Sequence, residues 1–410
     1  GWGSSTWGTG SWGSPRVGST YTTPSIWSAD NWGEDVIAVR RRGSFVYYWD
    51  TSVGLSSNRM SKVEAYSAAV VATGTYPHAH LVSVAPERIL ILFGSEATIG
   101  SGTIDPLLIR WSEREDYRIF EDSDTNLAGS FRLQSGNEIL AAEKTKNGYV
   151  VLTDYNAHFM QFLGFPFVYG FSQLGTNCGV IGPNASAEYN GTVYWMGANK
   201  QFYKFDGQLQ TMLCSIQKTV FNDLNGVQSH LIACGINAEW EEVWWLYPDY
   251  SSTSCTRYVK YSWAYDAWDS GTIERTFWVD RSTYRNPIAA DNDGYLYFHE
   301  AGLNDNGAAM YSWAETGEFQ LADGDRLVFI DTIIPDLKVT GELDITVKAR
   351  RYPSSSEEFV KGPYTVTSAT EKIKLRNRGR QYAVKIESNA IDYDYVLGKF
   401  RVNIQPDGGR

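Results

Sequence analysis

The 410-residue sequence predicts an all-β chain, a β-propeller followed by a C-terminal β-sandwich-like domain, on three observations. First, turn dipeptides (Asn147-Gly148, Asn190-Gly191, Asp206-Gly207, Asp293-Gly294) recur between short runs of β-branched and aromatic residues. A two-residue hairpin turn needs positive φ at its central positions, which Asn, Asp and Gly tolerate. Second, aromatic residues make up 14% of the chain, with 15 Trp and 26 Tyr, and such side chains suit half-buried pleated surfaces. Third, hairpin units begin near residues 25, 88, 138, 185, 229 and 275. Spacings of roughly 40–60 residues match a four-stranded blade with its loops, and five or six such units are visible.

Taken in order, residues 1–24 form a Trp/Gly-rich extended arm or linker, with Trp2-Gly3, Trp7-Gly8 and Trp12-Gly13 evenly spaced and no strand or helix period. The propeller is expected over residues 25–314. Strands are read at 35–40 and 44–49 around the turn at Gly43, at 88–94 and 107–111, and at 138–144, 149–154 and 157–163. The clearest units follow. Residues 185–189, 192–196 and 201–205 surround Asn190-Gly191, and residues 231–235, 242–247 and 257–261 repeat the plan with Trp244-Trp245 in the middle strand. Only residues 219–224 suggest a helical turn. From 315 to 410 the pattern changes to longer polar–apolar alternation, as at 326–334, 343–349 and 381–387, which predicts a separate β domain.

Charge is unevenly placed. The whole chain has 36 Lys/Arg and 47 Asp/Glu, a net of −11. Residues 321–410 hold 15 basic and 13 acidic residues (+2), which leaves 21 and 34 (−13) for residues 1–320. An acidic body argues against a protein that grips phosphates. The run Arg40, Arg41 and Arg42 beside a turn reads as a solvated face. Two C-terminal runs, Arg350-Arg351 and the series Arg376, Arg378 and Arg380, are expected at subunit contacts or on the outside, facing acidic neighbours.

The search for chemistry yields no site: catalytic residues, cofactor and metal are all read as none, and the chain is expected not to be an enzyme. Cys178, Cys214, Cys234 and Cys255 have no C-x-x-C pairing and read as free, mostly buried thiols. His78 and His80 are placed on one side of a strand without a third ligand. The stretches 291–294 and 304–307 resemble calcium loops but lack the required Gly and Glu positions, so they read as hairpin turns. Ser28 to Gly33 approaches the Asp-box of propeller glycosidases, yet Trp32 stands where that motif has Gly. Residues 155–187 carry no formal charge but are interrupted by Gln161, Pro166, Gln173, Asn177 and Pro183. A spanning helix needs about 20 apolar residues, so a buried strand-and-loop segment without stable membrane insertion is expected. Two further readings stand on composition: a carbohydrate-binding or glycan-hydrolysing β-propeller, using surface Trp, and a solitary scaffold for protein partners.

A set of stretches in fixed order carries a resemblance. It begins with Pro106 to Ser112, Thr125 to Gly129 with Arg132-Leu133, and Gln161 to Phe167. It continues through Asn177 to Gly179, Ile181 to Asn184, Val193 to Gly197, Phe202 to Gly207, Glu242 to Trp245 and Arg257 to Val259. Gly379 to Gln381 and Leu397-Gly398 to Gly408 close it. Over most of residues 25–410 the chain resembles the tail nozzle (tail hub, or packaged-DNA stabilisation) proteins of short-tailed bacteriophages, the podoviruses. The resemblance implies a structural virion protein of the phage tail. It implies a homo-oligomeric ring, usually a hexamer, beneath tail adaptor and portal proteins and beside tail fibre or spike proteins. Such a ring retains packaged double-stranded DNA and conducts it during ejection without binding it tightly.

Overall fold

The computed structural model describes residues 26–41, 43–53, 59–66, 74–321 and 326–408. The Trp/Gly-rich arm expected over 1–24 lies outside the described residues, as does Arg42. The chain is nearly all β, and it divides into two compact units between His299 and Glu300. The division precedes the expected boundary at 314/315. Strand Ser312–Glu315 pairs with Gln381–Ser388, so its ladder partners place it in the second unit.

Among the described residues the first unit strings six antiparallel groups of strands in sequence, each taken as one sheet, although the first two are joined edge to edge into a single eight-stranded sheet. The first holds Trp27–Trp32, Asp35–Arg40 and Ser44–Trp49, with Ser61–Lys62 added to it. The second holds His78–Val84, Leu90–Glu96, Ile104–Trp111 and Gly129–Arg132, and it joins the first through Ser44 opposite Ala79. The third holds Ile139–Thr145, Gly148–Thr153, Ala157–Phe162 and Tyr169–Gly175. The fourth holds Ser186–Tyr189, Thr192–Met196, Phe202–Phe205 and Leu209–Met212. Ala233–Asn237, Glu242–Tyr247, Arg257–Ser262 and Ala267–Thr272 form the fifth. The sixth has three strands, Phe277–Val279, Ile288–Ala290 and Leu296–Phe298.

The first strand of each sheet packs on the first strand of the next, from Trp27–Trp32 through to Phe277–Val279. That serial packing gives the unit a propeller-like build. Turn chemistry sets each blade: Asn190 and Gly191 both have positive φ, 52° and 91°, between the paired Tyr189 and Thr192. Glu241 and Asp266 take the same left-handed conformation at the two short hairpin turns among the three connections of the fifth sheet. A short helix, Gln217–Asp223, buries Val220 and Phe221 in the core shared by the fourth and fifth sheets.

Large aromatics fill the space between blades, and their ring N–H groups reach carbonyls on the preceding one. Trp245 Nε1 donates to Ala185 O at 3.0 Å, and Trp278 Nε1 to Ile236 O at 2.8 Å. Trp195 Nε1 donates to Cys178 O at 2.8 Å. Trp195 and Trp245 are fully buried, and a buried indole needs such a partner.

The second unit is a sandwich. One sheet orders Ser312–Glu315, Gln381–Ser388, Leu343–Arg350 and Phe359–Val366, with Phe319–Gln320 also on Gln381–Ser388. A second orders Ile373–Gly379, Val328–Ile334 and Arg401–Pro406, and a small third one pairs Leu337–Thr340 with Asp394–Leu397. Leu343–Arg350 and Ile373–Gly379 alternate strictly between buried and outward positions, as strands with one solvated face do. Their inward residues meet in an aliphatic core that includes Ile330, Ile345, Val347, Leu375 and Ile386 around one Tyr, Tyr382.

Candidate functional site

Polar side chains gather along the first strands of the first four sheets. Asp30 accepts hydrogen bonds from Ser83 Oγ at 2.8 Å, Val84 N at 2.7 Å and Lys144 Nζ at 3.1 Å, so one carboxylate ties three blades. Burial pushes its pKa up, but these donors outweigh burial and hold it below the ordinary Asp value. Arg41 donates from Nη1 to Leu140 O at 2.7 Å and from Nη2 to Pro183 O at 3.1 Å. Burial pulls its guanidinium down to about 10 against the pull of Glu143 and Glu138. The expected solvated face is therefore corrected at Arg41: the guanidinium is half-buried because it supplies donors to two carbonyls between blades. Arg40 is exposed.

Near Arg41 lies Glu143, and near Glu143 lies Glu188, two carboxylates that sequence reasoning missed. Glu143, on the first strand of the third sheet, accepts a 2.6 Å hydrogen bond from Ser186 Oγ on the first strand of the fourth. Burial raises the Glu143 pKa, and the Glu188 carboxylate of that neighbouring strand adds to the rise, while Ser186 and Arg41 oppose it. Glu188 is also held by the backbone N–H of Gly191 in its hairpin turn. The two carboxylates thus face each other across the third and fourth sheets, with Glu143 raised above the ordinary Glu value chiefly by burial. In the sequence these residues carry no motif; only the apposition of two first strands joins them.

The residues singled out in the sequence take other places. His78 Nδ1 lies 2.9 Å from Glu96 Oε1, and the buried Glu96 also accepts from Gly100 N at 2.8 Å, which makes the pair part of the scaffold. Among the described residues no group of three or more His, Cys, Asp or Glu is placed to hold a metal ion. The four cysteines are free thiols, Cys178 and Cys255 buried and Cys214 and Cys234 half-buried. Burial raises all four thiol pKa values, with Cys214 pushed up to about 11. Asp291 Oδ1 accepts from the N–H groups of Asp293 and Tyr295 at 2.9 Å, closing a turn.

The uncharged stretch 155–187 is only partly buried. Strands Ala157–Phe162 and Tyr169–Gly175 pair as a hairpin, but its tip leaves Leu163, Phe165 and Phe167 at 59%, 66% and 74% exposure. The expectation of a buried segment is corrected at this tip, because residues 163–168 lie beyond the last ladder pair, Phe162 opposite Tyr169.

Three of the C-terminal arginines, Arg350, Arg378 and Arg380, find partners in their own chain. Arg350 pairs with Glu318 and Glu358, and Arg378 Nε with Asp407 at 2.6 Å. Arg380 Nη1 donates to Arg351 O at 2.9 Å, and Arg351 lies over the Phe359 ring. Arg376 points outward and is exposed.

No family model matches the chain, and no curated protein matches it. Solved structures with similar folds include an exo-β-1,3-galactanase from Phanerochaete chrysosporium, 8% identical over 92% of this chain and 95% of that one, at a TM-score of 0.31. An apocarotenoid oxygenase from Synechocystis is 9% identical over 65% and 66% of the two chains, with a TM-score of 0.34. A structure described as a glycoside hydrolase is 9% identical over 92% and 96%, with a TM-score of 0.23. Glycan-hydrolysing enzymes thus stand among the similar structures, and the expectation that the chain is not an enzyme is withdrawn on that finding. At these scores none of the similarities assigns a reaction to it.

Proposed function

We propose that the chain is a structural component of a short-tailed phage tail, a nozzle subunit whose copies surround the channel that holds and then conducts the genome. The observation that carries this reading is the ordered set of stretches from Pro106 to Gly408 resembling such proteins. Several of them fall in strands of the second, fourth and fifth sheets, among them Ile104–Trp111, Thr192–Met196, Phe202–Phe205 and Glu242–Tyr247. The −13 balance of residues 1–320 suits a conduit, because like charge near the wall repels phosphates and lets DNA pass without sticking. Only side chains within a Debye length of about 8–10 Å of the passing DNA contribute. Native mass measurement with imaging of the purified chain tests this reading. A closed ring, wide enough for a DNA duplex and acidic inside, is expected; a chain that stays monomeric at every concentration overturns it.

A second reading, a glycan-hydrolysing propeller, is favoured by one observation: the Glu143 and Glu188 carboxylates on adjacent first strands, with Glu143 raised by burial. In it Glu143 is the proton donor to the leaving oxygen and Glu188 the base or nucleophile. Assay of the chain on β-linked galactan and glucan, with Glu143→Gln and Glu188→Gln as controls, tests it. Release of reducing ends that falls at least a hundredfold in either variant supports hydrolysis, and no release from any substrate removes this reading.

A further inference from the structure

The second unit carries an open groove of about 420 Å³ on the outward face of its larger sheet. Its lining includes Trp313, Glu315, Lys348, Arg350, Glu358 and Gln381. Strand pairing explains the gathering: Arg350 sits opposite Gln381, and Glu315 opposite Lys385, on the sheet formed by Ser312–Glu315, Gln381–Ser388 and Leu343–Arg350. Trp313 lies on the edge strand of that sheet and is 59% exposed.

The polar lining is already ordered. Lys348 Nζ donates to Glu315 Oε1 at 2.5 Å, and Arg350 bridges Glu318 and Glu358. Side chains held in this way present donors and acceptors at fixed positions, which lowers the entropy lost when a ligand binds. The amide oxygen of Gln381 is closed off from solvent and has no hydrogen-bond partner. A polar atom left in that state is costly, and a rotation of its side chain toward the groove would offer it to a hydroxyl.

We propose that this groove binds a neutral saccharide. One face of a pyranose ring is lined by C–H groups and stacks on an indole, while its rim of hydroxyls both donates and accepts. Trp313 supplies the platform, and the Lys348–Glu315 and Arg350–Glu358 pairs with Gln381 supply the mixed rim. Lys385 Nζ lies 6.0 Å from the centre of the Trp313 ring and pairs with Glu387. The groove and its platform thus hold four carboxylates (Glu315, Glu318, Glu358 and Glu387) against three cations (Lys348, Arg350 and Lys385), and an anionic ligand gains nothing there. The inference is independent of the ring and of the carboxylate pair, since it concerns the second unit alone.

The test uses the full chain and neutral hexasaccharides of the gluco-, galacto- and manno-series, followed by calorimetry and saturation-transfer NMR. Binding of at least one series is expected, with Trp313→Ala weakening it at least tenfold and Trp313→Phe restoring part of the loss. Trp27→Ala removes a comparably exposed indole, 53% accessible, from the first unit and is expected to leave binding unchanged. Circular dichroism of each variant confirms folding. Absence of binding in all three series at millimolar concentration overturns the inference. Equal affinity in the chain and in Trp313→Ala overturns it as well, as does equal loss on Trp27→Ala.

Discussion

The two units solve the same problem, covering hydrophobic sheet faces, with different side chains. Between propeller-like blades the gap widens away from the first strands, and it is filled by Trp195, Phe202 and Trp245, all fully buried. Their ring N–H groups make the registration specific, as when Trp245 reaches Ala185 O on the blade before it. In the sandwich the two faces run side by side about 10 Å apart, a constant distance that Ile330, Ile345, Val347 and Ile386 span without polar atoms. Wedge-shaped gaps call for large amphipathic rings, and parallel gaps for branched aliphatics.

The comparison can be broken at its largest claim first. Trp245→Ala is expected to cost about 3–5 kcal/mol by emptying a buried wedge, and calorimetry should show the loss in the first unit's transition only. Trp245→Phe sharpens it: most of the volume remains, but Ala185 O loses its donor, at about 1–3 kcal/mol. In the sandwich Ile345→Ala is expected to cost about 2–5 kcal/mol and to lower only the second transition. If either substitution lowers both transitions equally, the units do not melt separately and the contrast fails.

Acid titration probes the polar seam next. Asp30 has a lowered folded pKa, so its stabilisation is present above its unfolded value of about 3.9 and is lost as pH falls through the folded one. Asp30→Asn should therefore lower the first unit's melting temperature at pH 7 and flatten its decline below about pH 4. A variant with the parent's full acid slope would assign that slope to other carboxylates. Glu143 has the opposite sign. Its raised pKa means that stability declines as pH rises from the unfolded value of about 4.3 through the folded one, so Glu143→Gln should flatten the first unit's response above about pH 4.3. An unchanged response would detach Glu143 from the seam.

The smallest effect is expected at the surface. Arg132 Nε and Asp105 Oδ2 lie 2.6 Å apart, with their side chains 54% and 29% exposed. Solvent screens such a pair, and Asp105→Ala should change chemical-denaturation stability by about 0.2–1 kcal/mol. A loss comparable to that of Trp245→Ala would mean that surface charge, and not wedge filling, holds the first unit.

What the sequence by itself determined is local. Asn190-Gly191 dictates a hairpin because its left-handed backbone costs those residues little, and the alternation from Leu343 to Arg350 dictates a strand because side chains change face at every residue. Outer strands such as Ala267–Thr272 were not legible, since a strand largely exposed on both faces has no hydrophobic period to read. Only the tertiary structure decided the rest. It put Arg41 against carbonyls of residues 140 and 183, brought Glu143 to Ser186, and gave Arg350 and Arg378 acidic partners in their own chain. The reason is distance along the chain: a hydrogen bond between residues 99 or 142 positions apart depends on how whole sheets stack, and no short sequence period records that.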